Sequence, residues 1–330
     1  MSAPTRRDLL VGTGLAVGAG VAARGAVFPG LAAGADLPAT TPKATQVTVR
    51  RGRAIAVSPR GDRTVVAHDR ARTIEVRGPR GRVRLIDVGG QPLEVAIAPS
   101  GKLAAVTTAS WDHPGLILVD LRTGAVRARV DVGDAPSFVA FTRDGRRILV
   151  TGGEQEGRIW IVDARTSTLL TSRPIGLVPR GIAIAGPAPA ALAWVALNAD
   201  SRLVGVDTRT GRVVRVQQTG RLPDHVAASR SGRRLLVTHG GRTADHVSEV
   251  DLQTRRTRTR AAGRLPSAVA WTARGQRLVA LGGDAAVVVL GARGGPRRLR
   301  ASGAPRGLAV AGSRAWTVDG LTGAVRRVKP

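Results

Sequence analysis

The sequence contains no cysteine and no tyrosine, and only 2% of its 330 residues are aromatic. Without cysteine, a disulfide framework, a thiolate metal site, a cysteine nucleophile and a lipid anchor on an N-terminal cysteine are all excluded. With so few rings, the core has to be built from Val, Ile, Leu and Ala, and the β-branched members of that set favour pleated strands. Hydrophobic residues still make up 43% and charged residues 22%, the proportions of a chain that buries a real core. Lysine is nearly missing: Lys43, Lys102 and Lys329 are the only three. Arginine therefore carries almost the whole of a net charge of +28, from 51 Lys and Arg against 23 Asp and Glu. Charge of that size attracts polyanions of any kind, whether nucleic acid, anionic lipid or acidic wall polymer. The same Arg, Ala, Gly and Val bias also follows from a GC-rich genome, with arginine standing where lysine would on solvated faces.

No apolar run is long enough to span a bilayer comfortably as a helix. The charge-free stretch from Leu9 to Ala23 is short and rich in Gly and Ala. It follows Thr5-Arg6-Arg7-Asp8-Leu9-Leu10, which resembles the twin-arginine export motif, and Ala33-Gly34-Ala35 supplies a small-x-small cleavage site. Residues 1–35 are thus expected to be an export signal and 36–45 a Pro- and Thr-rich linker. The mature protein is expected outside the cytoplasm, as a secreted, periplasmic or wall-associated monomer without a membrane-spanning segment; an uncleaved N-terminal anchor is the alternative.

What is abundant is repetition. A proline followed by small and β-branched residues recurs at Pro92-Leu-Glu-Val-Ala-Ile-Ala, Pro136-Ser-Phe-Val-Ala-Phe-Thr, Pro179-Arg-Gly-Ile-Ala-Ile-Ala, Pro223-Asp-His-Val-Ala-Ala-Ser, Pro266-Ser-Ala-Val-Ala-Trp-Thr and Pro305-Arg-Gly-Leu-Ala-Val-Ala. A seventh copy, without the proline, is Arg53-Ala-Ile-Ala-Val-Ser. Successive copies lie about 40 to 44 residues apart, the period of a four-stranded propeller blade. Gly turns such as Thr142-Arg-Asp-Gly145 close the first hairpin, and Val-Asp ends the third strand at Asp120, Asp163, Asp207 and Asp251. Those aspartates are expected to cap the turn that follows. The spacing predicts an all-β, seven-bladed β-propeller over residues 46–330, its blades four-stranded and antiparallel. The seventh unit runs out after three strands, so Gln46-Val-Thr-Val-Arg50 is expected to complete it and remove an exposed edge.

The pattern Val-Gly-x-x-Pro-x-x-Val-Ala, a Gly turn, a Leu-Val-Thr strand and Val-Asp-x-x-Thr-Gly resembles the YVTN/YncE-type propeller repeat. It is plainest from Val132-Gly133 to Val162-Asp163. The chain departs from that family in having Thr-Gly or Thr-His where the strand would end in Asn. The resemblance implies the propeller fold and an exported protein, and no particular chemistry.

In a propeller, the loops between second and third strands share a face with the starts of the blades. All five histidines map there: His68, His113, His225, His239 and His246. Their acidic companions include Asp69, Asp112, Glu94, Glu154, Asp200, Asp224 and Asp245. A ligand site at this channel mouth is expected from Glu94, Phe138, Arg180, Asp224, His225 and Arg306, with Trp111 and His113 nearby. Imidazole and carboxylate together suit a divalent metal, for which His225, His239, Asp245 and His246 are the candidates. No cofactor is otherwise predicted. Phosphate-cradling loops, nucleophile elbows and haem-attachment signatures are absent from the sequence, so no catalytic residue is assigned. The favoured reading is an exported, non-enzymatic scaffold that presents this face to a protein or small ligand. Two others stay open: a metal-assisted hydrolase or lyase on the His/Asp face, and attachment of the Arg-rich rim (Arg255, Arg256, Arg258, Arg260, Arg297, Arg298, Arg300) to an anionic polymer or nucleic acid.

Overall fold

The computed structural model describes residues 51–330 apart from 70, 110–114, 134, 154–155, 188–189, 293–294 and 302. The expected signal, the linker, the strand at 46–50, and Trp111, Asp112, His113 and Glu154 lie outside the described residues.

The described residues form seven antiparallel sheets, each running in chain order from its first strand to its last. Blade 1 covers 51–87, blade 2 91–130, blade 3 136–174, blade 4 179–218, blade 5 223–261, blade 6 266–300 and blade 7 305–328. Six blades have four strands. The last has three among the described residues, Pro305–Ala311, Arg314–Asp319 and Val325–Val328. The architecture is a seven-bladed β-propeller. Among the described residues, no helix is long and apolar enough to cross a membrane.

Burial explains why these segments are strands. Second and third strands are covered on both faces: in Leu103–Ala109 and Gly115–Asp120 only the last residue of each keeps partial exposure. A strand buried on both sides must be apolar along its length, which Leu-Ala-Ala-Val and Leu-Ile-Leu-Val supply. Fourth strands are mostly exposed; Val126–Val130 alternates, with Arg127 and Arg129 facing water and Val130 buried. Seven apolar clusters fill the seven seams between neighbouring blades. The seam that closes the ring joins Ile55 and Val66 of blade 1 to Ala309, Ala311, Trp316 and Val318 of blade 7. Each fully buried Val, Leu or Ile in such a seam stabilises the fold by about 1.5–3 kcal/mol.

The repeated aspartates are turn caps. Asp120 Oδ1 accepts from the amides of Arg122 and Thr123, both at 2.8 Å, and Asp163, Asp207 and Asp251 do the same in their blades. Blade 7 adds Asp319, which takes the amides of Leu321 and Thr322.

Two third strands bury an acid. Glu75 accepts from His68 at 3.3 Å and pairs with Arg77. The bond to His68 outweighs desolvation and, with Arg77, pulls its pKa down to about 2. Glu249, 5% exposed, is held by Arg260 at 2.6 Å and by Arg277 of blade 6 at 2.7 Å. Burial alone would raise its pKa, yet the two guanidinia together hold it below the usual carboxylate range. Arg260 shares a face with Arg258, as alternation along the strand suggests, but it is half-buried on Glu249 while Arg258 stays exposed. Removing one partner of a buried pair strands the other charge, at about 3–5 kcal/mol. Arg277→Met should accordingly destabilise the ring by roughly that amount in urea unfolding, and Arg234→Met, whose side chain is 54% exposed, by less than about 1 kcal/mol. Equal losses would remove Glu249 from the role of a seam anchor.

Candidate ligand site at the channel mouth

All seven first strands carry a β-bulge near their start. The register shifts between Gly52 and Ala54, Pro92 and Glu94, Pro179 and Ile182, Pro223 and Val226, Pro266 and Ala268, and Pro305 and Gly307. In blade 3 it shifts opposite Thr151 and Gly152, leaving Ser137 unpaired. A bulge bends the strand and re-aims the side chains beside it. Here the bent segments converge on the axis around a cavity of about 140 Å³. Its wall takes Arg53, Glu94, Phe138, Gly181, His225, Ala268 and Arg306, one from each blade. The packing is tight: a Cβ on Gly181 would stand 2.4 Å from the Asp224 carbonyl oxygen. The cavity holds a few waters or one small ligand.

The electrostatics are uneven. Desolvation raises the Glu94 pKa to about 7; the Val95 amide and Arg53 pull it down, and Asp224 pushes it up. Glu94 keeps partial exposure and lines the cavity. His225 is held below the ordinary histidine range, first by burial and then by Arg180, Arg306 and Arg53, against the opposing pull of Asp224. Its ring meets Phe138 edge to face, with centroids 5.0 Å apart. Arg180 pairs with Asp224 at 3.6 Å, and Arg53 Nε donates to the Leu93 carbonyl at 3.2 Å.

The histidines do not act as one group. His225 lines the axial cavity, while His239 stacks on His246 with centroids 5.0 Å apart, and His246 Nδ1 lies 3.0 Å from Asp245. The ring nitrogens of His239 are both engaged, Nδ1 with the Arg221 carbonyl and Nε2 with Ser248 Oγ, each at 2.8 Å. A carbonyl only accepts, so Nδ1 carries the proton and Nε2 takes the serine hydroxyl, leaving no lone pair for a metal. His68 is buried against Glu75. Among the described residues, no three His, Asp or Glu side chains form a group that could hold a metal ion.

Beside the cavity, a groove of about 400 Å³ crosses blades 5 to 7, lined by Leu265, Pro266, Ala304, Pro305, Leu321 and the Gly240-Gly241 turn. Arg306 lies in the walls of both spaces, and Asp224 edges the groove. Exposed apolar residues ring this face: Val178, Leu222 and Leu265 each precede the proline that starts a blade, at φ of 49°, 49° and 53°. A non-glycine residue in that left-handed region costs about 1–2 kcal/mol.

A comparison with solved structures finds similar chains, among them one of Kuenenia stuttgartiensis hydrazine synthase. The two superpose with a TM-score of 0.74 at 16% identity, over 88% of this chain and 98% of that one. The likeness is one of fold. No protein-family profile matches the sequence, and no curated protein sequence does.

In this propeller the structure brings Glu94, Phe138, Arg180, Asp224, His225 and Arg306 to one mouth. It adds Arg53, which the sequence reading left among the inner-strand residues of the proline-less first repeat. Aligning that repeat by its bulge, and not by its missing proline, is the signal that would have found it. The apolar ring was legible too, as a large aliphatic residue directly before Pro179, Pro223 and Pro266.

The raised Glu94 pKa sets a pH dependence of stability. Between about 4.5 and 7 the folded state holds a proton that the unfolded state has lost, so stability falls as pH rises through that window and is level above it. Glu94→Gln should match the parent at pH 4.5 and exceed it by about 1–3 kcal/mol at pH 8, in denaturant titrations at both pH values. A variant less stable than the parent at pH 8 would show that the charged carboxylate is a structural partner.

Proposed function

We propose that this chain is an exported, non-enzymatic binding propeller of the YVTN/YncE-like kind, and that its ligand sits across the channel mouth and the adjoining groove. The observation that carries the reading is the position of Arg306. One guanidinium borders a polar axial cavity on one side and an apolar groove on the other, so a ligand with a charged group and an apolar body meets both at once. The ring of strained, exposed aliphatic side chains supports a covered face, because solvent gives Val178, Leu222 and Leu265 no reason to hold left-handed backbone. Family and export rest on the repeat and on Thr5–Leu10.

Anilinonaphthalene sulfonate, an apolar ring system bearing an anion, is a direct probe. It should bind the folded protein at one saturable site, with affinity falling at least tenfold in Leu265→Asp and in Leu321→Asp. Unchanged titrations in both variants would move the site elsewhere. For export, replacing Arg6 and Arg7 by lysine should hold the chain in the cytoplasm of a twin-arginine-competent host. The parent should be recovered outside it with Asp36 as its first residue, by N-terminal mass analysis; equal export of the two would remove the motif from the account.

A further inference from the structure

We propose that the outer edge of the seam between blades 5 and 6 is a site for a tetrahedral dianion, a phosphate or sulfate group, gripped by Arg256 and Arg258 beside Arg234. The inference goes beyond the reading of the channel mouth: the two sites share no residue, and neither depends on the other.

The seam itself builds the pocket. The face of blade 5 that packs on blade 6 carries Leu236 and Val247, and Glu249 is the next side chain along that face of the third strand. Its carboxylate is taken by Arg260 at 2.6 Å, by Arg277 of blade 6 at 2.7 Å and by Arg234 at 3.4 Å. Room for Arg277 comes from Gly291, where a Cβ would overlap the guanidinium. This buried cluster is the floor of a pocket of about 180 Å³, whose walls are Arg234, Arg256, Arg258, Arg260 and Asp251. The ladder sets the wall out in order: Arg258 stands opposite Glu249, with Arg256 and Arg260 two residues away on either side.

Both carboxylates of the pocket are already engaged. Glu249 is shared among three guanidinia. Asp251 is folded into its turn, where it accepts from the amides of Gln253 at 3.1 Å and Thr254 at 2.9 Å, and it lies 3.7 Å from Arg234. Arg256 and Arg258 are exposed, and among the described residues their side chains have no hydrogen bond or ion pair. Four guanidinia in the wall and Arg277 behind the floor thus meet two carboxylates, an excess of three positive charges. Exposure screens their mutual repulsion without abolishing it. A dianion offsets more of that excess than a single carboxylate does, and forked N–H donors match the edges of a tetrahedral oxyanion. A metal cation is repelled by the same excess.

The experiment is isothermal titration of the purified chain with inorganic phosphate, and separately with sulfate, at pH 8 and a fixed low ionic strength. The parent should bind one anion per chain, and the tighter of the two names the group. Arg256→Gln/Arg258→Gln should lose affinity at least about tenfold. Arg80→Gln/Arg82→Gln removes the same charge from an exposed turn of blade 1 and should stay within about twofold of the parent. Without ligand, Arg256→Gln/Arg258→Gln should melt no lower than the parent, because the two side chains it removes have no partner to lose. No saturable binding of either anion, unchanged affinity in Arg256→Gln/Arg258→Gln, or equal losses in the two double variants would overturn the site. A lower melting temperature of the unliganded Arg256→Gln/Arg258→Gln chain would do so as well, by giving those arginines a structural role.

Discussion

Everything in this molecule hangs on the seams between blades. A single four-stranded sheet cannot bury either face by itself, and each blade here spends both faces on its neighbours. The arrangement works only when the ring closes, because a missing contact would leave two apolar sheet faces in water. The seventh seam, Ile55 and Val66 against Trp316 and Val318, therefore matters to all the others. It also accounts for composition. Seams filled by Val, Ile, Leu and Ala need few aromatics, and the third and fourth blades place Trp160 and Trp194 where a larger space has to be filled.

Closing the ring fixes the inner strands as a scaffold and frees what they point at the axis. Alanine in the middle of each first strand, and proline at the start of six of the seven, meet the crowding where the strands converge. The bulge near the start of each first strand uncouples one or two residues from the ladder. Beside that bulge Glu94, Phe138, Gly181, His225 and Ala268 stand at equivalent places and share no chemistry. A symmetric structural need would have kept them alike.

The fold was legible because its physics is periodic: proline spacing, glycine turns and the Asp-x-x-Thr caps each recur in register, so an error in one unit is corrected by the next. Most of the channel mouth was legible for the same reason, at a constant offset from proline. What could not be read were side-chain fates inside a unit. His239 and His225 both belong to the mouth face by position, yet one ring turns into the blade against Ser248 and the other toward the axis. Strand position names a face of the molecule; rotamer and neighbours name the partner. Glu249 was hidden differently. It stands two residues before the aspartate that ends its strand, where the other blades have Leu118, Ile161 and Gly205, and an acid in that apolar place is the signal.

The arginine excess deserves the same separation of composition from use. Part of it is structural. Arg84 donates to the Thr123 carbonyl and Arg127 to the Arg165 carbonyl, each reaching from the outer strand of one blade to the turn of the next. Arg314, at the start of the second strand of blade 7, donates to the Arg60 carbonyl of blade 1 at 2.8 Å. A long side chain with a forked cation spans such gaps while its stem covers the seam edge, and lysine would bridge them with a single point charge. Arginines committed in this way have one donor engaged and their geometry set by the blades, so their presence on the rim has a structural use apart from any polymer. The arginine at the channel mouth is different in kind. Arg306 borders both the axial cavity and the apolar groove, so its guanidinium stands where a ligand entering either space would meet it. Net charge describes the whole surface, whereas the charge that discriminates a ligand is the one left unbalanced where water is scarce.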